Sequence, residues 1–549
     1  MRYLGGGRRR RVALQAFLGL CVLVSGLGLL MLSLKPLDPP ITVSFPRDSE
    51  FDDSNKSSSF EGVVASRLVT NIEEKPCVTV EEMGKEFKRG VGKETLRVRR
   101  VIENHFVVNG ASRVRDLPPE QFCSHGFVLG KTSEAGFGNE MYKVLTAAAL
   151  SVMLNRSLII GQTRGKYPFG DYISYANFTF TMKEIKHLWR HNGCESKYGR
   201  QLVMRTDDFE KPVETNVLCG NWKKWKQPII WFQGTTDSVA AQFFLKNIHS
   251  QMRTAALDLF GDPQVLGLRL NVFGELMRVL ISPSEDVEAA VNWVIGGGEN
   301  PDISLHMRML MNRSVRAVQA ALHCIKKAIR SQHLMSTRPK VVIVSDTPTL
   351  VKSIKSNISE FAEVLHFDYE KFRGSIFKGL PNSDFRKKDW GAAPRWVSFV
   401  DFFLASRARY AAVSGAHRRV GTTYAQLIAA LAAAYNLGDN SSGSRFLFFS
   451  SFQSNLLTGG LKNQIGWGHV WNRYAGPLSC RNQANQCALT PILPSAWWDS
   501  LWQSPIPRDI NRLASYGIRL SGLGTVDSDS LQSYCKKRKN VVRTITFKL

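Results

Sequence analysis

A chain of 549 residues that is 44% hydrophobic has room for two ordinary domains and is too apolar for a disordered polymer. Its net charge of +26, from 72 basic and 46 acidic residues, would point a cytosolic protein toward nucleic acid. The N-terminus excludes that reading by placing most of the chain across a membrane.

Arg2 and Arg8 to Arg11 form a basic block, and Val12 to Leu34 is apolar but for Gln15, Ser25 and Ser33. As a helix at ~1.5 Å per residue this run is about 35 Å long, enough for a bilayer core of ~30 Å. No small-x-small cleavage site follows it, and the arginines stay in the cytosol. The sequence thus predicts a cytosolic tail (1–11), an uncleaved signal anchor (12–34) and a lumenal remainder, a single-pass type II membrane protein with no nucleic-acid partner. The basic lumenal surface suits an anionic donor, an acidic polysaccharide or membrane headgroups; a plain solvated face fits equally well.

Residues 35–66 read as a disordered stem, with Pro36, Pro39, Pro40 and Pro46 leading into Ser54 to Ser59. Cys21 lies in the span. The other eight cysteines (Cys77, Cys123, Cys194, Cys219, Cys324, Cys480, Cys487 and Cys535) suit an oxidising compartment. Cys480 with Cys487, then Cys194 with Cys219, are the expected local bridges. Sequons in polar loops at Asn55 and Asn440 are expected to carry glycans; Asn155, ending an apolar helix, is not.

Residues 67–298 form the expected first domain, with helical patterning from Leu68 to Val114 as its lead-in. Phe127 to Leu129 predicts a strand, Gly136 and Gly138 a turn, Asn139 to Leu154 a helix and Ser157 to Ile160 a strand: a β-turn-α-β unit of a parallel sheet. Ile229 to Phe232 follows as a strand, with helices at Val239 to Phe260, Val272 to Leu280 and Ser282 to Ile295. The last opens on a capping-box pattern at Ser282 and Glu285. Gly296 to Gly298 read as a hinge.

The α/β rhythm restarts in a second domain (299–505). Strands are predicted at Ile303 to Met307, Val341 to Val344, Val364 to Phe367, Tyr410 to Ser414 and Phe446 to Phe449. Helices are predicted at Val315 to Arg330, after Thr347-Pro348, at Trp396 to Ser406 and at Thr423 to Tyr435. Residues 506–549 are a C-terminal extension. Two Rossmann-like halves facing a cleft would hold a ligand outside the carboxyl ends of their strands.

Four pieces bear chemistry. Gly136-Phe-Gly-Asn-Glu140 opens a helix whose amides can meet an anion, though a tight turn also accounts for it. Strand alternation puts His306 and Arg308 on one side, with Arg308 suited to phosphate. Asp346 closes a strand, where it can accept two hydrogen bonds from guanine or cap a helix. Ser414 to Thr423 is a donor-rich turn containing His417, Arg418, Arg419, Thr422 and Thr423, which suits a diphosphate. The aromatic run Trp467, Trp471, Tyr474, Trp497, Trp498 and Trp502 either stacks on sugar or covers the core. Asp52-Asp53 and Asp207-Asp208 make poor metal pairs, and no metal is expected.

The run AGFGNEMYKVLTAAALSVMLNRSLII, then His306/Arg308, Asp346, Asp401-Phe402-Phe403 and the 414–423 turn, resembles the protein O-fucosyltransferases and their plant cell-wall fucosyltransferase relatives. The similarity spreads over about residues 123 to 450. It implies a GT-B α/β fold behind one transmembrane helix, a Golgi membrane location, GDP-fucose as donor, a glycan or glycoprotein acceptor, inversion, and no cofactor. Other Golgi transferases would be partners. Arg308 would hold the β-phosphate, His306 and Asp346 would bind guanosine, and Thr422 and Thr423 would contact phosphate. Asn139 would lie near the reacting centre. Met309 stands where relatives often have a second arginine, a cation that Arg418 or Arg419 can supply. Glu140, at the expected cleft mouth, is a candidate base. The alternative is a catalytically inactive lumenal glycan-binding or scaffold protein of the same fold.

Overall fold

The computed structural model describes residues 91–451 apart from 133–135, 162–168, 199–200, 210, 212–213, 234–243, 262–269, 310–314, 335–337, 374–392, 416–422 and 439–445, with 487–489, 514, 517, 520–521, 525–526, 528–538 and 543–546 beyond. The expected anchor, stem and glycan sites Asn55 and Asn440, and the aromatic run from Trp467 to Trp502, lie outside the described residues. Among those residues no helix is long and apolar enough to cross a membrane. Residues 74–549 make one compact unit.

The first half runs α1 (Val91–Asn109), β1 (Phe127–Lys131), α2 (Phe137–Leu154), β2 (Ser157–Gly161), β3 (Ile173–Tyr175), α3 (Met182–His191), β4 (Val203–Asp208), β5 (Ile229–Gln233), α4 (Ser250–Phe260), α5 (Val272–Leu280), β6 (Ile281–Pro283) and α6 (Glu285–Ile295). The second runs β7 (Ile303–Met307), α7 (Val315–Ser331), β8 (Lys340–Ser345), α8 (Pro348–Ser359), β9 (Glu363–Leu365), α9 (Val397–Ala405), β10 (Ala411–Gly415), α10 (Thr423–Asn436) and β11 (Leu447–Ser451). Then come β12 (Cys487–Leu489), β13 (Leu520–Ser521), β14 (Thr525–Val526), α11 (Ser528–Lys537) and β15 (Arg543–Thr546). Short helical turns join several of these.

This is an α/β fold built on two mainly parallel sheets. The first has the order β15-β4-β5-β1-β2, parallel except at β15. Helix α2 is apolar nearly all round because it is buried nearly all round. Gly130 lets it settle on β1: a Cβ there would lie 3.0 Å from Ala147 Cβ. Asn155 ends α2 in the left-handed conformation, which asparagine tolerates.

The second sheet has the order β12-β11-β10-β7-β8-β9, with only β12 antiparallel. Its five parallel strands follow the Rossmann-half order, so the topology switches direction between β7 and β10. Ile303, Leu305 and Met307 pack on the α7–α8 side, while Val342, Val344 and Ala412 join the core on the other. Covered on both faces, these strands are near-continuously apolar.

The two halves share a core. Val98, Ile102 and Phe106 of α1 lie in the same apolar cluster as Phe402, Leu427 and Phe448. Helices α5 and α10 touch backbone to backbone: a Cβ on Gly274 would sit 2.1 Å from Ala430 O. Asn271, which caps α5, also donates to Ala430 O at 2.7 Å. Arg99 completes the joint. It bonds both Glu275 carboxylate oxygens (2.8 and 3.1 Å) and donates to Ala434 O and Leu437 O at the end of α10. The cation thus satisfies carbonyls that a helix C-terminus leaves orphaned.

Several expectations shift. Of the helix expected over Val239 to Phe260, residues 239–243 lie outside the described residues and α4 begins at Ser250. Ser284, not Ser282, caps α6, because Ser282 is taken into β6 opposite Ser174. Asp207 and Asp208 end a true strand, β4. The disulfides among the described residues are Cys123–Cys194, Cys219–Cys535 and Cys324–Cys487, which take Cys487 and Cys194 away from both expected local bridges. Cys219–Cys535 brings α11 back to the first half, where β15 pairs with β4. The C-terminal extension therefore finishes the first sheet.

Candidate active site

The site lies where β7 and β10 end. Ser414 stands opposite His306, and Gly415 opposite Met307. A Cβ on Gly415 would meet Met307 Sδ at 1.9 Å, so any larger residue here would push the buried Met307 side chain aside. His306 is buried, 8% exposed, with its ring 5.1 Å from that of Tyr424. Burial, then the nearby Arg308 charge, lowers its pKa to about 3. It therefore works as a neutral imidazole. Arg308, one step beyond the strand, is exposed and has no ion-pair partner among the described residues. Its N–H points to Gly415 O at 3.5 Å.

Asp346 has a role the sequence did not indicate. Its Oδ1 accepts the Met309 N–H at 2.7 Å and the Thr347 hydroxyl at 3.2 Å. Ser345 Oγ donates to Met307 O at 2.8 Å. Together these bonds fix the chain on both sides of Arg308, so Asp346 braces the arginine's loop.

The glycine turn and the 414–423 turn meet. Thr423 Oγ1 donates to Asn139 Oδ1 at 3.3 Å, across 284 residues. A Cβ on Gly138 would lie 2.6 Å from Thr423 Oγ1 and 2.8 Å from Tyr424 N. Gly138 is thus needed for the approach of one helix start to another, where a ligand approach had been expected. Gly136 is the extended residue before α2, its carbonyl accepting the Glu140 N–H at 3.1 Å.

Glu140 does not open onto a cleft mouth. Its side chain is fully buried, with Oε1 3.0 Å from Lys143 Nζ. Burial keeps this carboxylate from reaching an acceptor hydroxyl in the cleft. Arg418, Arg419 and Thr422 lie outside the described residues.

Two participants were missed from sequence. Phe137, between the two glycines, is 1% exposed and packs on Phe169, Phe399, Phe402 and Tyr424 at 4.6 to 5.4 Å. Tyr424 ties this cluster to His306 and donates its hydroxyl to Ser398 O. The signal for Phe137 was its place between two glycines at a helix start, where a large ring has no local packing reason.

Residues 72–547 match a family of unknown function, DUF7810. The chain belongs to this family. No curated protein matches the sequence. Among solved structures, a mutant of Arabidopsis thaliana FUT1 in complex with GDP is similar at a TM-score of 0.37 and 10% identity, over 70% of this chain and 85% of its own. NodZ alpha-1,6-fucosyltransferase soaked with GDP-fucose, an enzyme also solved from Bradyrhizobium, gives 0.32 and 13%, over 56% and 93%. POFUT1 in complex with GDP-fucose gives 0.32 and 11%, over 60% and 98%. Likenesses this shallow decide nothing about chemistry, which rests on the residues themselves.

Proposed function

We propose that the chain is a type II Golgi glycosyltransferase of the GT-B plan, a fucosyltransferase moving fucose from GDP-fucose to a glycan or glycoprotein acceptor. Transfer is inverting and needs no metal. The observation that supports this most is the Asn139–Thr423 contact. It brings the starts of α2 and α10 together beside His306 and the exposed Arg308, at the switch point of the second sheet. Helix starts and a bare guanidinium are complementary to a diphosphate.

In the proposed step an acceptor hydroxyl attacks the anomeric carbon opposite the diphosphate. The bond from that carbon to the β-phosphate oxygen breaks, GDP leaves with the electron pair, and the hydroxyl proton passes to water. Arg308, with Thr422, Thr423, Arg418 and Arg419, balances the charge growing on the leaving group. Neutral His306 faces the nucleoside. Asn139 orients the sugar, and Glu140 with Lys143 holds the first turn of α2 in place. Residues 67–298 and 299–505 are the two lobes of this reading, with 12–34 as anchor.

A second reading, a non-catalytic nucleotide-sugar binder, is favoured by the burial of Glu140 against Lys143, which takes away the candidate base. Incubating the purified full chain with labelled GDP-fucose, EDTA and a panel of glycans and glycoproteins separates the two. Label transfer by wild type but not by Arg308→Ala supports the enzyme; GDP-fucose binding with no transfer supports the binder.

A further inference from the structure

Helix α3 presents a cationic face that the proposed transfer does not use. Lys183, His187, Arg190 and His191 are exposed and Lys186 is half-buried. Positions 183, 186, 187 and 190 fall on one side of a helix, across roughly 10 Å at ~1.5 Å per residue. The rings of His187 and His191 lie nearly parallel, 14° apart with centroids at 6.1 Å, which broadens the face into a flat strip.

The strip is rigid. Ile185 and Trp189, on the opposite side, are fully buried in a cluster with Phe127, Ile159 and Phe180. Thr181 and Glu184 close a capping box at the start of α3, and the Cys123–Cys194 disulfide pins the chain just past its end. With the helix already ordered, binding an extended polyanion costs only the rotamer freedom of the side chains themselves.

Two of its cations are not cancelled locally. Among the described residues neither Lys183 nor Arg190 has an ion-pair partner. Glu184 is taken by Arg115, and Glu120 by Lys197. Glu195 is the one further carboxylate on the adjoining turn, Cys194–Tyr198.

We infer that this face of α3 binds a linear, carboxylate-bearing glycan. Three disulfides among the described residues fit an oxidising compartment, where the polyanion at hand is an acidic polysaccharide and not a nucleic acid. Exposed charges of this kind act through complementary potential, so binding weakens with salt. The inference does not depend on the transferase reading, and its test reads binding alone.

The test uses the full chain in detergent, titrated with polygalacturonate fragments and with the same fragments fully methyl-esterified, at low and at physiological salt. The expected result is salt-sensitive binding of the acidic fragments only, weakened at least tenfold by Lys183→Gln/Lys186→Gln/Arg190→Gln. A control, Lys223→Gln/Lys224→Gln/Lys352→Gln, removes three lysines exposed elsewhere and should keep wild-type affinity. Equal thermal unfolding of both variants shows that folding is intact. No binding, equal loss in the control, or equal binding of the esterified fragments would overturn the inference. So would α3-dependent binding to anionic lipid vesicles or RNA that exceeds binding to the glycan.

Discussion

The hydroxyl of Thr423 reaches Asn139 Oδ1 at 3.3 Å, so the starts of two helices from different sheets form one surface. Gly138 makes that approach feasible, since a Cβ there would fall 2.8 Å from Tyr424 N, a backbone atom without freedom to yield. Gly138→Ala should therefore cost about 1–3 kcal/mol, the range for overpacking. It should also weaken GDP binding at least tenfold. Denaturant unfolding and calorimetry measure the two effects. An unchanged affinity would separate this contact from the site.

The joint at Arg99 makes a stability prediction distant from the chemistry. Arg99 and Glu275 are 8% and 0% exposed in their side chains, and removing Arg99 leaves the buried Glu275 carboxylate with Arg278 as its remaining cation. Arg99→Met should destabilise the fold by about 1–3 kcal/mol, the range for buried acceptors left unsatisfied, because Glu275 keeps Arg278 while the Ala434 and Leu437 carbonyls lose their donor. Arg99→Met/Glu275→Leu should recover much of that loss. A double variant no better than the single would show that Arg99 acts mainly through the α10 carbonyls.

Disulfide pairing is testable directly. Peptide mapping without reduction should recover Cys123 with Cys194, Cys219 with Cys535 and Cys324 with Cys487. Cys219→Ser should cost about 2–4 kcal/mol and should expose the segment carrying α11 and β15 to limited proteolysis. A Cys480–Cys487 peptide would contradict the fold at β12.

Acid should weaken the structure. Burial lowers His105 and His125 to about 4 and His306 to about 3, from an ordinary 6.5. The unfolded chain therefore binds more protons in this window. The stability these histidines contribute is complete above pH 6.5 and is lost as pH falls toward 3. Asp207, raised to about 7 mainly by burial, acts oppositely, with stability lost as pH rises from 3.8 through 7. Tm should thus fall between pH 6.5 and 4, and less steeply in His125→Gln. A slope unchanged by that substitution would remove His125 from the account.

Much of this was readable from residue order. The strands from Ile303 and Val341 and the helix from Thr423 announced themselves by apolar runs and cap residues, because local burial leaves a local pattern. Non-local closure leaves none. Nothing near Val203 or Arg543 says that β15 returns to β4, and nothing near Cys219 names Cys535 as its partner. At the site, Arg308 and Thr423 were legible as charge and hydroxyl at element ends. The brace that Asp346 gives the Met309 N–H and the burial of Glu140 against Lys143 left no mark in the sequence, because a carboxylate's surroundings depend on what folds against it.

The most direct test of the central claim is calorimetry of GDP against the purified full chain in EDTA, beside Arg308→Ala. The account predicts binding by the wild type and at least a tenfold loss in the variant, with thermal unfolding unchanged because Arg308 is exposed. Equal affinity in the two proteins, or no binding by a folded wild type, would contradict a diphosphate site at the end of β7.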